Sequence, residues 1–154
     1  MMTKELILET LEGLGFQVKK AKQYGFIFKY EGLAILYMPD DDEHFLRFAA
    51  PNIYDVTEEN KYFVMELIND TNMSIKYSKT GVLDDEVWSF SEYRLFGEER
   101  IEDIVEYNLR LLQVTVGHFF RKIDGDDELL EEGDDDDNEL LEDDGNDERK
   151  EDEE

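Results

Sequence analysis

"FIFKYEGLAILYMPDDDEHFLRFAA" spans residues 26–50, and its reading decides the fold. It holds three apolar runs, Phe26–Tyr30, Leu33–Met38 and Phe45–Ala50, separated by Glu31-Gly32 and by Pro39–His44. In the first run Phe26, Phe28 and Tyr30 alternate onto one face, as a half-buried strand requires. Linkers this short join antiparallel neighbours, because a parallel connection needs a crossover of roughly a dozen residues or more. The segment therefore predicts an antiparallel meander, with Pro51 and Asn52 expected to end its pairing.

Working outward, the residues before the meander predict a helix. Thr3 is placed to cap it, Ile7, Leu11 and Leu14 recur at helical spacing, and Gly13 and Gly15 stop it. After the meander, Thr57 has the chemistry of a helix N-cap, followed by Glu58 and Glu59 where the helix dipole favours acid. Phe63, Val64, Leu67 and Ile68 give that helix its apolar face. A second hairpin is expected from "SIKYS" (74–78) and "EVWSFSEYRLF" (86–96), with Thr80, Gly81, Asp84 and Asp85 in the turn. In its second strand Val87, Ser89 and Ser91 take one side, and Trp88 and Phe90 the other.

The last helix is predicted over Glu98–Ile123, with Glu98, Glu99, Glu102 and Asp103 at its start and Arg121 and Lys122 at its end. Ile101, Val105, Leu112, Val116, Phe119 and Ile123 form one stripe. Leu109, Leu111, Val114 and Phe120 widen it past the ~100° that one sheet contact uses. Such a helix either packs on a sheet and a neighbouring helix together or forms a dimer seam. The order α-β-β-β-α-β-β-α describes an α+β domain with an antiparallel sheet, helices packed on one face and the other face partly bare.

Charge divides the chain near Asp124. Residues 125–154 hold 19 of the 42 acidic residues and only two of the 16 basic ones, Arg149 and Lys150, which leaves residues 1–124 with 23 acidic and 14 basic. The expected organisation is thus a folded body over 1–124 and a disordered acidic tail over 125–154, since the tail has four apolar residues in thirty to set against chain entropy. Those four are Leu129, Leu130, Leu140 and Leu141, in two copies of Glu-Leu-Leu-Glu eleven residues apart.

Several chemistries are disfavoured. The chain has no cysteine, which removes disulfides, thiolate metal sites and thiol nucleophiles and fits a reducing compartment. Glu5, Glu9 and Glu12 interrupt any signal-peptide core, and no run approaches the roughly 20 apolar residues of a membrane span, so a cytoplasmic location is expected. Asp40, Asp41, Asp42, Glu43 and His44 offer metal-ligand chemistry, yet consecutive residues in a tight turn diverge. Bonds from the Asp side chains to local amides are the expected role. Asp134, Asp136 and Asn138 match the first ligand positions of a calcium loop, which then fails at Glu139 and Gly145. No nucleophile elbow or phosphate loop accompanies His44 and His118. Negative charge on body and tail argues against nucleic acid despite the aromatic strands. No cofactor is expected, and no catalytic or metal-binding residue.

The segments "FLRFAAPNIYDV" (45–56), "ELINDTNMSIKY" (66–77) and "VWSFSEY" (87–93), with Pro51-Asn52-Ile53 and Asn69…Asn72…Lys76 inside them, resemble the YbjN-like family. That family is associated with bacterial sensory-transduction regulation and shares the type III secretion chaperone-like fold. The resemblance covers most of 1–124 and none of the tail. It implies a domain that dimerises and binds polypeptides without chemistry, and it carries over no catalytic residues.

The reading is therefore a non-enzymatic protein-binding module, homodimeric, whose protein partner is not specified by the sequence. Trp88 and Phe90 on the sheet, Leu111 and Val114 on the last helix, and Leu129, Leu130, Leu140 and Leu141 in the tail are its candidate contact residues. The alternative gives the tail the working role, as a nucleic-acid mimic or binder of basic proteins, with the body as scaffold. One basic cluster, Lys19, Lys20, Lys22 and Lys29, stands out against the acidity, either as a solvated strand face or as a place to receive the tail.

Overall fold

The computed structural model describes residues 3–125. The acidic segment from residue 126 onward, with Leu129, Leu130, Leu140 and Leu141, lies outside the described residues. The elements are α1 (Thr3–Gly13), β1 (Lys19–Lys20), a 3-10 turn (Lys22–Tyr24), β2 (Phe26–Tyr30), β3 (Leu33–Tyr37) and β4 (Phe45–Asp55). They continue with α2 (Lys61–Ser74), β5 (Ser78–Leu83), β6 (Glu86–Arg94) and α3 (Ile101–Asp124). The chain divides after Phe119, and the architecture below is that of the unit ending there. Of the second unit, Phe120–Asp124 continue α3 as helix and Gly125 follows.

All strands join one antiparallel sheet in the order β1-β2-β3-β4-β6-β5. The meander forms as its short linkers require, and the fold is α+β with the helices on one face. Phe26, Phe28 and Tyr30 share that helix-facing side, where aromatic rings dominate. Phe28 meets Phe16 at 5.1 Å and Phe48 at 6.2 Å, and Phe48 meets Tyr37 at 5.6 Å. Around them Ile7 and Leu11 of α1, Val64 of α2, and Val105, Leu109, Leu112 and Phe119 of α3 are fully enclosed. Burial is the main favourable term in this packing, worth roughly 25 cal/mol per Å² of apolar surface removed from water.

In its secondary structure the protein departs from the sequence-based expectations at five places. Two short elements before β2, β1 and the 3-10 turn, carry no apolar alternation and were not anticipated. Pro51 and Asn52 do not end the pairing. β4 runs on to Asp55 through a register shift between Ala50 and Tyr54, with Asn52 at φ 42°. A bulge needs no ladder N–H from proline, which is why Pro51 is tolerated inside a strand. Thr57 does not cap α2. Its hydroxyl accepts from the Asn60 N–H at 3.2 Å while the Asn60 amide oxygen accepts from the Thr57 N–H at 2.8 Å, closing a turn that delays the helix to Lys61.

The fifth strand begins at Ser78 rather than Ser74, because α2 keeps its helical register to Ser74 and Tyr77 turns the chain with φ 73°. Thr80 and Gly81 thus belong to the strand, and Asp84-Asp85, at φ 55° and 61°, make the hairpin turn. Two consecutive positive φ values suit the twist of a two-residue hairpin. Finally, α3 starts at Ile101, not Glu98. The Glu99 carboxylate instead accepts from the N–H groups of Phe96 at 2.7 Å and Gly97 at 3.0 Å. Those bonds, that from Phe96 first, hold the Glu99 carboxyl below the usual glutamate value. Whatever stability it supplies is present above the ordinary glutamate range and is lost as pH falls through the lowered folded-state value.

One side chain closes the sheet margin. Asn72 of α2 donates its amide to the Thr80 carbonyl at 2.9 Å and accepts from the Thr80 N–H at 2.8 Å, standing where a seventh strand would pair. Thr80 itself is 5% exposed. Asn72→Ala leaves both backbone groups without a partner and should lower the unfolding free energy by about 1–3 kcal/mol in denaturant titration. A change below a few tenths would show that Asn72 is not the cap described.

Tyr37 supplies a second test. Burial pushes its phenol up to about 12, since the charged form is costly inside. Stability tied to Tyr37 is complete below pH 10, where unfolded tyrosine is neutral, and is lost between about pH 10 and 12. Ultraviolet titration should show one of the eight tyrosines ionising late, and Tyr37→Phe should flatten the alkaline slope of stability.

Candidate functional site

β6 presents two unlike faces. Ser89 and Ser91 are fully buried on the side of α3. Ser78, which pairs with Ser91 across the ladder, bonds the Thr115 hydroxyl of α3 at 2.8 Å, and Thr80 bonds Ser89 at 2.8 Å. Strand alternation then sends Trp88 and Phe90 to the opposite face, away from the helices. There a single row crosses all six strands through the paired positions Lys19, Ile27, Leu36, Ala49, Phe90 and Lys79. Its middle is apolar and each end is a lysine. The Lys79 ammonium sits 5.7 Å from the Phe90 ring centre and 3.1 Å from Glu92, which also binds Arg47 at 3.2 Å.

This outer face is not bare. Leu36, Ala49 and Trp88 form a second small core, covered by Ala21, Tyr24, Ile27, Met38 and Phe90. The cover is an arch at residues 21–25, closed by the Ala21 N–H bonding the Gly25 carbonyl at 2.8 Å and the Tyr24 N–H bonding the Ala21 carbonyl at 2.8 Å. Tyr24 packs on Trp88 with ring centres 5.3 Å apart, and the indole N–H donates to Glu86 at 3.1 Å. Trp88 is only 3% exposed as a result, while Phe90 stays half-buried. Gly25 permits the arch. At φ +109° its backbone passes so near β3 that an added Cβ would stand 2.3 Å from the Tyr37 carbonyl and 2.9 Å from Pro39 Cδ.

Leu111 and Val114 lie elsewhere, in the helix layer. Tyr107, Leu111, Val114 and His118 share one edge of α3 by helical spacing, and His118 Nε2 meets Asp70 Oδ2 of α2 at 2.8 Å. Val114 is 48% exposed and Leu111 half-buried, so the part of the wide stripe that the core does not use is this edge. Across from it, Phe63 of α2 is exposed rather than on the buried face expected from the sequence. Further around α2, Tyr62, Met65 and Met73 stand out at 77%, 54% and 79% exposure, and Tyr77 follows just beyond the helix. Sequence reasoning passed over these residues. The available signal was that α2 is apolar on two sides, with Tyr62, Met65 and Met73 spaced i, i+3, i+11 opposite Val64, Leu67, Ile68 and Thr71.

The two folded-body candidate pairs are therefore separated by the sheet. Asp40 and Asp42 accept from the N–H groups of Asp42 and His44, each at 2.9 Å, as an Asp-rich turn should. Among the described residues no group of three or more His, Asp or Glu side chains is arranged to hold a metal ion, and no helix is long and apolar enough to cross a membrane.

Solved structures share this architecture. YbjN from E. coli, described as a candidate transcription regulator, superposes with a TM-score of 0.59 at 12% identity, over 79% of this chain and 92% of that one. An uncharacterized protein from Methanothermobacter thermautotrophicus gives 0.54 at 12% identity, over 80% and 98%. Similarity at this identity is one of fold. No family model and no curated protein matches the sequence.

Trp88 is the sole tryptophan and reports on the arch. Its emission should be blue-shifted and resist acrylamide, and Gly25→Ala should raise the quenching constant several-fold. Equal quenching in both proteins would mean that the arch does not cover the indole.

Proposed function

We propose that this chain is a non-enzymatic protein-binding module of the YbjN-like family, acting as a cytoplasmic homodimer. In this proposal the folded body extends over 1–124 and an acidic, disordered tail over 125–154. The observation that carries the reading is the set of exposed apolar side chains on the helix layer, Tyr62, Met65 and Met73 of α2 and Val114 of α3, with Leu111 half-buried beside Val114. Soluble domains rarely leave large apolar side chains clustered in water without a partner surface. Methionine suits such a surface because its unbranched chain adapts to different contacts. The fold shared with YbjN is compatible with a regulatory role of this kind, as is the type III secretion chaperone-like fold that the resemblance implies. The enclosed Trp88 makes the outer sheet face the lesser candidate, with Phe90 its accessible part.

A second reading keeps the tail as the binding element. Nineteen acidic residues in thirty favour a basic protein, as a nucleic-acid mimic would, and the duplicated Leu129-Leu130 and Leu140-Leu141 pairs add something that charge alone does not explain.

Both readings are tested by the same set of proteins. Sedimentation across micromolar concentrations should show the wild-type chain dimerising and a Met65→Glu/Val114→Glu variant dimerising at least tenfold more weakly. The melting temperature should stay within a few degrees, since both positions are exposed. A strict monomer at every concentration removes the dimer. Among captured partners, those kept by a 1–124 chain and lost by the helix variant belong to the body. Those lost with the tail, or with all four leucines changed to Ala, belong to the second reading.

A further inference from the structure

Beside the arch lies a cavity of about 350 Å³ lined by Lys4, Lys20, Lys22, Gln23, Tyr24, Gly25, Phe26, Met38, Pro39 and Arg47. It opens at the end of the β2–β3 hairpin away from the Glu31-Gly32 turn, where Phe26 pairs with Tyr37. Four of its ten lining residues are cations and none is acidic, in a chain with 42 acidic residues among 154. Chance placement on so acidic a surface would put carboxylates among those lysines.

The cations are also unspent. Several basic side chains of the β4–α3 part of the body have taken carboxylates: Lys61 with Glu58, Lys79 with Glu92, Arg94 with Asp42, and Arg100 with Glu102 and Asp103. Lys4, Lys20 and Lys22 form no ion pair among the described residues. Arg47 meets Glu92 through Nε, which leaves its terminal nitrogens without an acceptor among the described residues. That Glu92 bond, with the Phe45 ring 4.8 Å from the Arg47 guanidinium carbon, fixes the guanidinium in place.

The cavity is built rather than incidental. Its wall is the arch, whose closeness to β3 depends on Gly25, and its apolar parts are Phe26, Met38 and Pro39. The volume suits a small molecule and excludes a folded partner or a duplex. Four cations lining one cavity match several negative charges on one compact group better than a single carboxylate. Lysine and arginine are the side chains that commonly bind phosphate, the first as a point charge and the second through its planar fork.

We infer that this cavity binds a compact polyphosphate, either free or as the phosphate tail of a nucleotide, with Lys4, Lys20, Lys22 and Arg47 as its ligands. The site is separate from those helix-layer side chains and does not depend on them. Tyr24 lines the cavity and packs on Trp88, so the sole tryptophan is a built-in reporter of occupancy.

The test titrates the full-length chain with inorganic triphosphate and, in parallel, with ATP, both without added metal, following Trp88 emission and heat. Saturable one-to-one binding is expected. A Lys20→Gln/Lys22→Gln variant should bind at least tenfold more weakly, and a Lys61→Gln/Lys76→Gln control should bind as the wild type does. Equal affinity for the two probes assigns the free polyphosphate chain as sufficient, and tighter binding of ATP assigns the nucleotide. Absence of saturable binding up to millimolar concentrations of either probe overturns the inference. So does binding that the Lys20/Lys22 variant leaves unchanged.

Discussion

The arrangement depends on a row of short hydroxyl side chains beneath α3. Ser78, Thr80, Ser89 and Ser91 give the β5–β6 hairpin an inner face with little bulk, and Thr115 answers from the helix. Leu112, Val116 and Phe119 of the same helix are buried. The price is polar burial. Most of these hydroxyls bond one another, whereas the Ser91 hydroxyl has no partner among the described residues. A satisfied hydroxyl pair is worth little net, but its geometry fixes which residues face each other.

Because β6 turns its serines inward, its aromatic residues must face outward, and the second core follows from that. Trp88 is too large to be left in water, and residues 21–25 arch over it. The sheet is therefore lined on both sides, unequally. A full helical layer covers one face, and a short, glycine-dependent cover protects the centre of the other. Exposed apolar side chains remain on the outward edges of α2 and α3, at the end of β5 (Val82, Leu83) and at Phe96 before α3. Surface available to partners is thus set by how the interior was packed.

The alternation and linker lengths that made the meander legible are local properties, as was the long amphipathic α3. The split of β6 into a serine side and an aromatic side was equally visible. Which side faces inward was not, since serine carries no hydrophobic signal and only the partner helix selects it. β1 and the 3-10 turn were illegible for a similar reason: Lys19-Lys20 pairs by backbone alone. Pro51 and Thr57 misled because each had an ordinary role locally that a bulge and a reciprocal Asn60 turn displaced. Of the candidate contact residues, Leu111 and Val114 followed from a stripe wider than a sheet can use. Tyr62, Met65 and Met73 lie on a helix that is apolar on two sides, so periodicity alone does not select the side that stays in water.

The amide of Asn72 has a consequence for how the sheet ends. An exposed β5 margin would offer a line of outward N–H and C=O groups on which a strand from another chain could grow. Both outward groups of Thr80, midway along that margin, are already taken. An incoming strand would have to displace the side chain before its ladder could continue, and Gly81 beside it contributes no side chain to hold a newcomer. At the opposite margin β1 is two residues long and made of lysine. Both margins discourage strand addition, so edge-to-edge polymerisation is opposed even when the chain is concentrated.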